Sequence, residues 1–210
     1  MPSYKLTYFN VRGFAEPARI LFHLAGVPFE DIRINRDDEV LWQKLKTDTP
    51  FGQLPVLSVD GFEIPQSAAI IRYLANKFGY AGKTPEERAW ADAILDQFKD
   101  FMAAFRQLII AQRTERPAEE ITKIASEVAI PARDSYLNIL KGLLKKSKSG
   151  FLVGDGLTFA DIVVAESITT LEKHKLFDPS EHQSLEILRK KVYTIPAVNN
   201  WVATRPDTLV

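Results

Sequence analysis

Two sets of residues near the start of this chain have the types and spacing to do chemistry together. Tyr8 closes an alternating, β-rich run from Tyr4 to Phe9, just before the loop Asn10-Val-Arg-Gly13. Functional groups of open α/β sheets are exposed at that edge. A phenol titrates near ~10 and a free thiol near ~8.5, so a neutral tyrosine can donate a hydrogen bond to a thiolate and stabilise it at neutral pH. Taken alone, Tyr8 also fits a half-buried tyrosine whose hydroxyl meets backbone or water. Trp42 and Lys46 stand four residues apart in a short helix expected between Asp37 and Pro50, with Val40, Leu41 and Leu45 on another side. An indole N–H beside an ammonium is a donor pair suited to a carboxylate; a surface lysine next to a half-buried tryptophan has the same spacing.

A third set lies between Pro50 and Leu74, which reads as turn, strand, tight turn, strand, helix. Val56 to Val59 is a short apolar run, Asp60-Gly61 is a hairpin dipeptide, and Phe62 to Ile64 returns before Pro65 stops the pairing. Leu54-Pro55 sits at the strand entry, where proline makes a cis peptide accessible, and the Leu54 backbone there is a candidate to pair with an extended peptide ligand. Gln66-Ser67 opens a helix with Ala69, Ile70, Tyr73 and Leu74 at helical spacing. Unpaired N–H groups and the positive end of the dipole make that N-terminus a carboxylate site. Singly, Pro55 shapes a turn and Ser67 caps a helix; together the two junctions could hold a small peptide carrying a carboxylate.

Composition narrows the chemistry. Over 210 residues, 46% are hydrophobic and 26% charged, ordinary for a globular protein with a sizeable core. Lysine plus arginine (27) equals aspartate plus glutamate (27), so no net field draws nucleic acid or an anionic membrane. There is no cysteine, which removes disulfides, thiolate metal sites and a cysteine nucleophile. Any thiol is therefore brought in. His23, His174 and His182 lack ligand spacing, so no metal is expected. No apolar leader or run of ~18 apolar residues is visible, which makes a cytoplasmic protein the expectation.

These residues need particular elements to position them. Strand, helix (Ala15 to Ala25, closed by Gly26) and strand (Phe29 to Ile34) make a βαβ unit, and the later hairpin and helix add ββα. The sum is a thioredoxin-like domain over residues 1–78. After a loop from Gly79 to Lys83 the pattern is helical throughout residues 84–210. Thr84-Pro85-Glu86-Glu87 starts a helix running to about Gln112. A second begins at Pro117 or Ala118 and reaches Lys146, with Pro131 as a kink or break. Thr158 and Asp161 form a capping-box-like start, with Leu157 and Ile162 as its staple, for an apolar central helix from Ile162 to Leu171. Helices at Gln183 to Tyr193 and Ala197 to Ala203 close the chain, and Thr208-Leu209-Val210 fits either a peptide-capture pattern or a plain tail.

With Gly52-Gln53-Leu54-Pro55, the hairpin and Gln66-Ser67 in one stretch, the chain resembles the cytosolic glutathione transferases over nearly its whole length, most closely the sigma class as found in nematodes. The resemblance implies an α/β thioredoxin-like N-terminal domain plus an all-α C-terminal helical domain. It implies a detoxifying enzyme that adds the glutathione thiolate to apolar electrophiles, with glutathione as cosubstrate and no metal. Tyr8 would serve the sulfur, Trp42 and Lys46 the glycine carboxylate, and Gln53, Leu54, Pro55, Gln66 and Ser67 the rest of the peptide. A homodimer is implied, with Asp100 of the partner subunit meeting the γ-glutamyl ammonium. Phe51 matches an aromatic that in several classes plugs into the other subunit. Lys99 replaces an acid of the interface ion site that some relatives have. Val11, Phe14, Met102, Phe105 and Arg106 are candidates for the electrophile wall. One departure is Phe14, in Arg12-Gly-Phe14-Ala-Glu16, where many sigma-class relatives, the vertebrate prostaglandin D isomerase among them, carry arginine. It weakens the case for prostaglandin isomerisation and suggests a less acidic bound thiol. A carrier of haem or other flat apolar ligands is the rival from another class.

Overall fold

A computed structural model describes residues 2–35 and 37–210, which group into two compact units. One holds the chain up to Ala81 together with Lys190–Val210, and the other is Gly82–Arg189.

The first unit is built on strands β1 (Tyr4–Phe9), β2 (Glu30–Ile34), β3 (Val56–Val59) and β4 (Phe62–Pro65), in the order β2-β1-β3-β4. β1 runs parallel to β2 and antiparallel to β3, and β3 to β4 is the hairpin turned at Asp60-Gly61. Alternation along β1 sends Tyr4, Leu6 and Tyr8 inward. Helix α1 (Glu16–Ala25) has Pro17 in its first turn and ends at Gly26 in the left-handed conformation. It packs on α3 (Ser67–Phe78), and Ile20, Leu21, Phe22, Ile70 and Leu74 join Leu6 and Leu57 in a fully buried core. Helix α2 (Glu39–Asp48) forms where expected, started by Asp38, whose carboxylate accepts from Leu41 N–H at 2.9 Å. It buries no residue, however, and Val40 is 85% exposed.

The stripe of α3 differs from the expected one. Ala69 is exposed and Tyr73 half-buried, and the inward residues are Ala68, Ile70, Ile71, Leu74 and Ala75. Ile70 and Leu74 face inward as expected, and the helical period carries the same face through Ala68, Ile71 and Ala75, leaving Ala69 outside it.

In the second unit α4 (Pro85–Arg113) begins as the sequence directs, with Thr84 Oγ1 accepting from Glu87 N–H at 3.2 Å and Pro85 at the first helical position. The expected kink at Pro131 takes a specific form. Helix α5 (Ala118–Ile124) passes into a π-helical segment, Ala125–Ala129, and then α6 (Ile130–Lys146). Proline has no N–H for the α ladder and its ring crowds the carbonyl four residues back; one widened turn relieves both. Helix α7 (Phe159–Lys173) is central, buried from Phe159 to Thr169 and again at Leu171. Asp161 anchors its start, accepting from Thr158 N–H (2.8 Å), Thr158 Oγ–H (2.9 Å) and Leu152 N–H (2.8 Å).

Helix α8 (Gln183–Tyr193) spans the boundary between the units, and α9 (Pro196–Thr204) packs on α1 in the first. Among the described residues no helix is long and apolar enough to cross a membrane.

Candidate functional site

Tyr8 is the next-to-last residue of β1, a strand flanked on both sides, and is only 4% exposed. Its Oη accepts a hydrogen bond from Phe14 N–H at 3.3 Å. An accepted bond polarises the phenol and strengthens its own O–H as a donor. The loop can come this close because residue 13 is glycine with φ +43°: a Cβ there would lie 2.7 Å from Tyr8 Oη and 2.9 Å from Cε1. Phe9 lies edge-on to the Tyr8 ring at 5.6 Å between centroids, and the buried Arg19 guanidinium carbon is 6.0 Å from that ring.

A buried polar cluster fixes the loop from below. Arg19 Nη1 donates to Val11 O (2.8 Å), Arg12 O (3.3 Å) and Glu16 Oε2 (3.0 Å), while Nε meets both Asp31 oxygens at 3.1 Å. Glu16, 1% exposed, also accepts from Trp201 Nε1 (2.7 Å) and Arg205 Nη1 (2.9 Å) on and just beyond α9. Burial alone would raise the Glu16 pKa; the charges of Arg205 and Arg19 outweigh it and hold the carboxyl below 4.5. His23 stacks on Trp201 at 4.3 Å, and burial holds its pKa below the usual value despite Glu16 and Asp31. On the other side of the loop, Arg12, 3% exposed, is bonded to Thr208, Leu209 and Val210.

Several of the remaining first-unit candidates are linked by contacts that start at Phe9. Trp42 packs edge-on to Phe9 at 5.2 Å, which ties α2 to the end of β1 beside Tyr8. Lys46 is exposed, and its stem lies over Gly52, where an added Cβ would sit 3.6 Å from Lys46 Cγ. This brings the ammonium stem to the loop that continues as Gln53-Leu54-Pro55. The Leu54-Pro55 peptide is cis, and Pro55 is buried under the start of β3. Gln66 Nε2 donates to Gln53 Oε1 at 3.0 Å, joining the two junctions of the hairpin. Gln66 is the N-cap of α3 at φ 72°, ψ 117°, a conformation costing about 1–3 kcal/mol for a non-glycine residue. Its side chain is exposed and Ser67 half-buried, at the end of α3 whose first-turn N–H groups have no partner within the helix.

Val11 and Phe14 are half-buried on the Tyr8 loop. In the second unit, Met102 is half-buried, and Asp100 and Arg106 are exposed along α4. Phe105 does not fit the wall expected of it: it is fully buried, stacked on Phe101 at 5.3 Å within the helical core, and offers no surface to a ligand. Gly13, Glu16 and Arg19 escaped the sequence reading as parts of the site. Of the three, Gly13 alone had a local signal, the positive φ that glycine tolerates.

A four-stranded mixed sheet carrying helices α1 and α3, followed in the chain by an all-helical unit, defines a thioredoxin-like domain with a helical C-terminal domain. Residues 4–76 match the family described as "Glutathione S-transferase, N-terminal domain", and residues 88–205 match "Glutathione S-transferase, C-terminal domain". The chain is 50% identical over 210 residues to Glutathione S-transferase 4 of Caenorhabditis elegans, covering 100% of both. It is 40% identical to the Hematopoietic prostaglandin D synthase of Gallus gallus, again over 100% of both. Among solved structures it resembles a Nu-class enzyme from Haemonchus contortus (TM-score 0.88, 43% identity, 100% of both chains) and the monomeric Na-GST-3 of Necator americanus (TM-score 0.90, 43% identity, 99% of this chain and 100% of that one). The protein belongs to the glutathione S-transferase family.

Proposed function

We propose that the protein is a glutathione transferase that conjugates glutathione to apolar electrophiles, with Tyr8 holding the sulfur as thiolate. The observation that carries this is the Tyr8 hydroxyl, buried and oriented by Phe14 N–H beneath Gly13 at the end of β1. Glutathione enters as a thiol and its proton goes to solvent. The thiolate attacks the electrophilic carbon, forming a C–S bond as the leaving group departs with its electron pair. Tyr8 O–H donates to the sulfur of the anion, and holding both reactants in place supplies the rest of the rate.

Glutathione lies across these first-unit residues. Trp42 Nε1–H and Lys46 hold its glycine carboxylate, and the Leu54 backbone beside Pro55 pairs with its cysteinyl unit. Gln66, Ser67 and the first N–H groups of α3 receive the γ-glutamyl carboxylate, with Gln53 steadying Gln66. The protein acts as a cytoplasmic homodimer in which Asp100 of the partner subunit meets the γ-glutamyl ammonium. Phe51, 62% exposed, supports an interface at that loop. Val11 and Phe14 are the candidates for electrophile contact on the Tyr8 loop, and Met102 and Arg106 those along α4. Apolar surfaces discriminate weakly, about 1–3 kcal/mol per methylene, so the substrate range is broad.

The class is sigma-like, a reading supported by the 40% identity to a prostaglandin D synthase. That identity also favours a second reading, glutathione-dependent prostaglandin isomerisation. Phe14 in place of arginine counts against it, and a Phe14→Arg variant that gains isomerase activity the wild type lacks would settle the matter. The main test is turnover of an aryl halide with glutathione, set beside a haemin titration. Turnover in the wild type that collapses in Tyr8→Phe supports the enzyme; tight haemin binding with negligible turnover across several electrophiles replaces it with a carrier.

A further inference from the structure

The Tyr8 loop is gripped by a segment that no part of the conjugation chemistry uses. Arg12 N–H donates to both Thr208 Oγ1 (3.1 Å) and Val210 O (3.0 Å), and Thr208 Oγ–H donates to Val210 O at 2.6 Å. The Arg12 guanidinium reaches the same segment, with Nε to Thr208 O at 3.4 Å and Nη2 to Thr208 O (3.4 Å) and Leu209 O (3.3 Å). From below, Arg12 O accepts from Glu16 N–H at 3.1 Å and Arg19 Nη1 at 3.3 Å. Residue 12 is thus clamped on both peptide faces. Two residues on, Phe14 N–H makes the bond to Tyr8 Oη, and Gly13 between them approaches that hydroxyl too closely for any side chain. Only two peptide units separate Arg12 from Phe14, so the position of one bears directly on the other.

We propose that Thr208–Val210 is a strap, and Thr208 a positioning residue, that acts through Arg12 to hold Phe14 N–H against Tyr8 and so sets the thiolate-stabilising strength of the phenol. This rests on the proposed role of Tyr8. The strap is an exposed-to-half-buried segment secured by hydrogen bonds, with Leu209 55% exposed, so its release leaves the sheet and helices in place while freeing the loop.

The test compares wild type, Thr208→Val, Thr208→Ser, a chain lacking residues 208–210, and Tyr8→Phe. Each is assayed for aryl-halide conjugation from pH 5.5 to 9, glutathione KM and melting temperature. Loss of the strap should lower kcat at neutral pH by about 10-fold and move the activity profile to higher pH, with KM within about 3-fold, because the group lost orients the thiolate donor more than the peptide. Thr208→Val should move both in the same direction by a smaller amount, and Thr208→Ser, which keeps the hydroxyl, should match wild type. A Thr208→Val profile superimposable on wild type, or a lower melting temperature with an unmoved profile, overturns the strap. Should Tyr8→Phe titrate like wild type, the reading beneath the strap fails first.

Discussion

Gly13→Ala tests the geometry at the thiol site most sharply, because the structure supplies both the size of the clash and a matched control. An alanine Cβ would lie 2.7 Å from Tyr8 Oη, against the 3.4 Å at which ordinary contact begins, so the phenol or the loop must yield by about 0.7 Å. Residue 13 also has φ +43°, a conformation that costs an L-residue about 1–2 kcal/mol. With about 1–3 kcal/mol for overpacking, the variant should be less stable by roughly 2–5 kcal/mol. Since a misplacement near 1 Å in an active site costs on the order of 100-fold, kcat/KM should fall about 10- to 100-fold. Gly26→Ala is the control. Gly26 has φ +62° but nothing within 4 Å of an added Cβ, so it carries the backbone cost without the collision. Steady-state conjugation rates and thermal melts on both variants separate the two terms. Gly13→Ala with activity within 2-fold of Gly26→Ala would refute the claim that loop and phenol are held in contact.

Two buried carboxyls should respond to pH in opposite senses. Glu16→Gln leaves Arg19 and Arg205 without their shared carboxylate and should cost about 3 kcal/mol at pH 7. The native Glu16 pKa lies below 4.5, so its stabilisation is complete above that pH and is lost as pH falls through the lowered value; melts of both proteins from pH 3.5 to 7 should show their gap opening as pH rises. Asp161→Asn turns an acceptor of three buried donors partly into a donor and should cost about 2–4 kcal/mol. Burial, against the bonds from Leu152 and Thr158, lifts the Asp161 pKa from 3.8 to about 6, so the native state binds its proton more tightly than the unfolded chain. The wild-type advantage over Asp161→Asn should therefore shrink as pH rises from about 4 to about 6, and a gap constant across that window would count against the assignment.

Local signals were legible in the sequence wherever one stretch contained its own instructions. Asp60-Gly61 placed the hairpin, Thr84-Pro85 the start of α4, and Thr158 with Asp161 the start of α7. Pro131 announced an interruption, but not that it would take the form of a π-helical segment, Ala125–Ala129, lying against α4. Phe105, spaced like a wall residue along α4, is claimed by Phe101 and the helical core. The polar floor was invisible for a different reason. Glu16 meets Trp201 and Arg205 far along the chain, and Arg12 meets Thr208, and no periodicity or short motif encodes such pairings. Tyr8 itself could be nominated from its place at the strand end, whereas the Gly13 contact that orients it appears only once the loop has turned back on the strand.

The central claim is that Tyr8 stabilises the glutathione thiolate. Ultraviolet difference titration of bound glutathione, which follows thiolate absorbance, measures this directly in wild type and Tyr8→Phe. A bound-thiol pKa well below the ~8.5 of a free thiol, returning toward that value in Tyr8→Phe while glutathione still binds, is the predicted result. An unshifted thiol in the wild type, or a shift that survives removal of the hydroxyl, would contradict it.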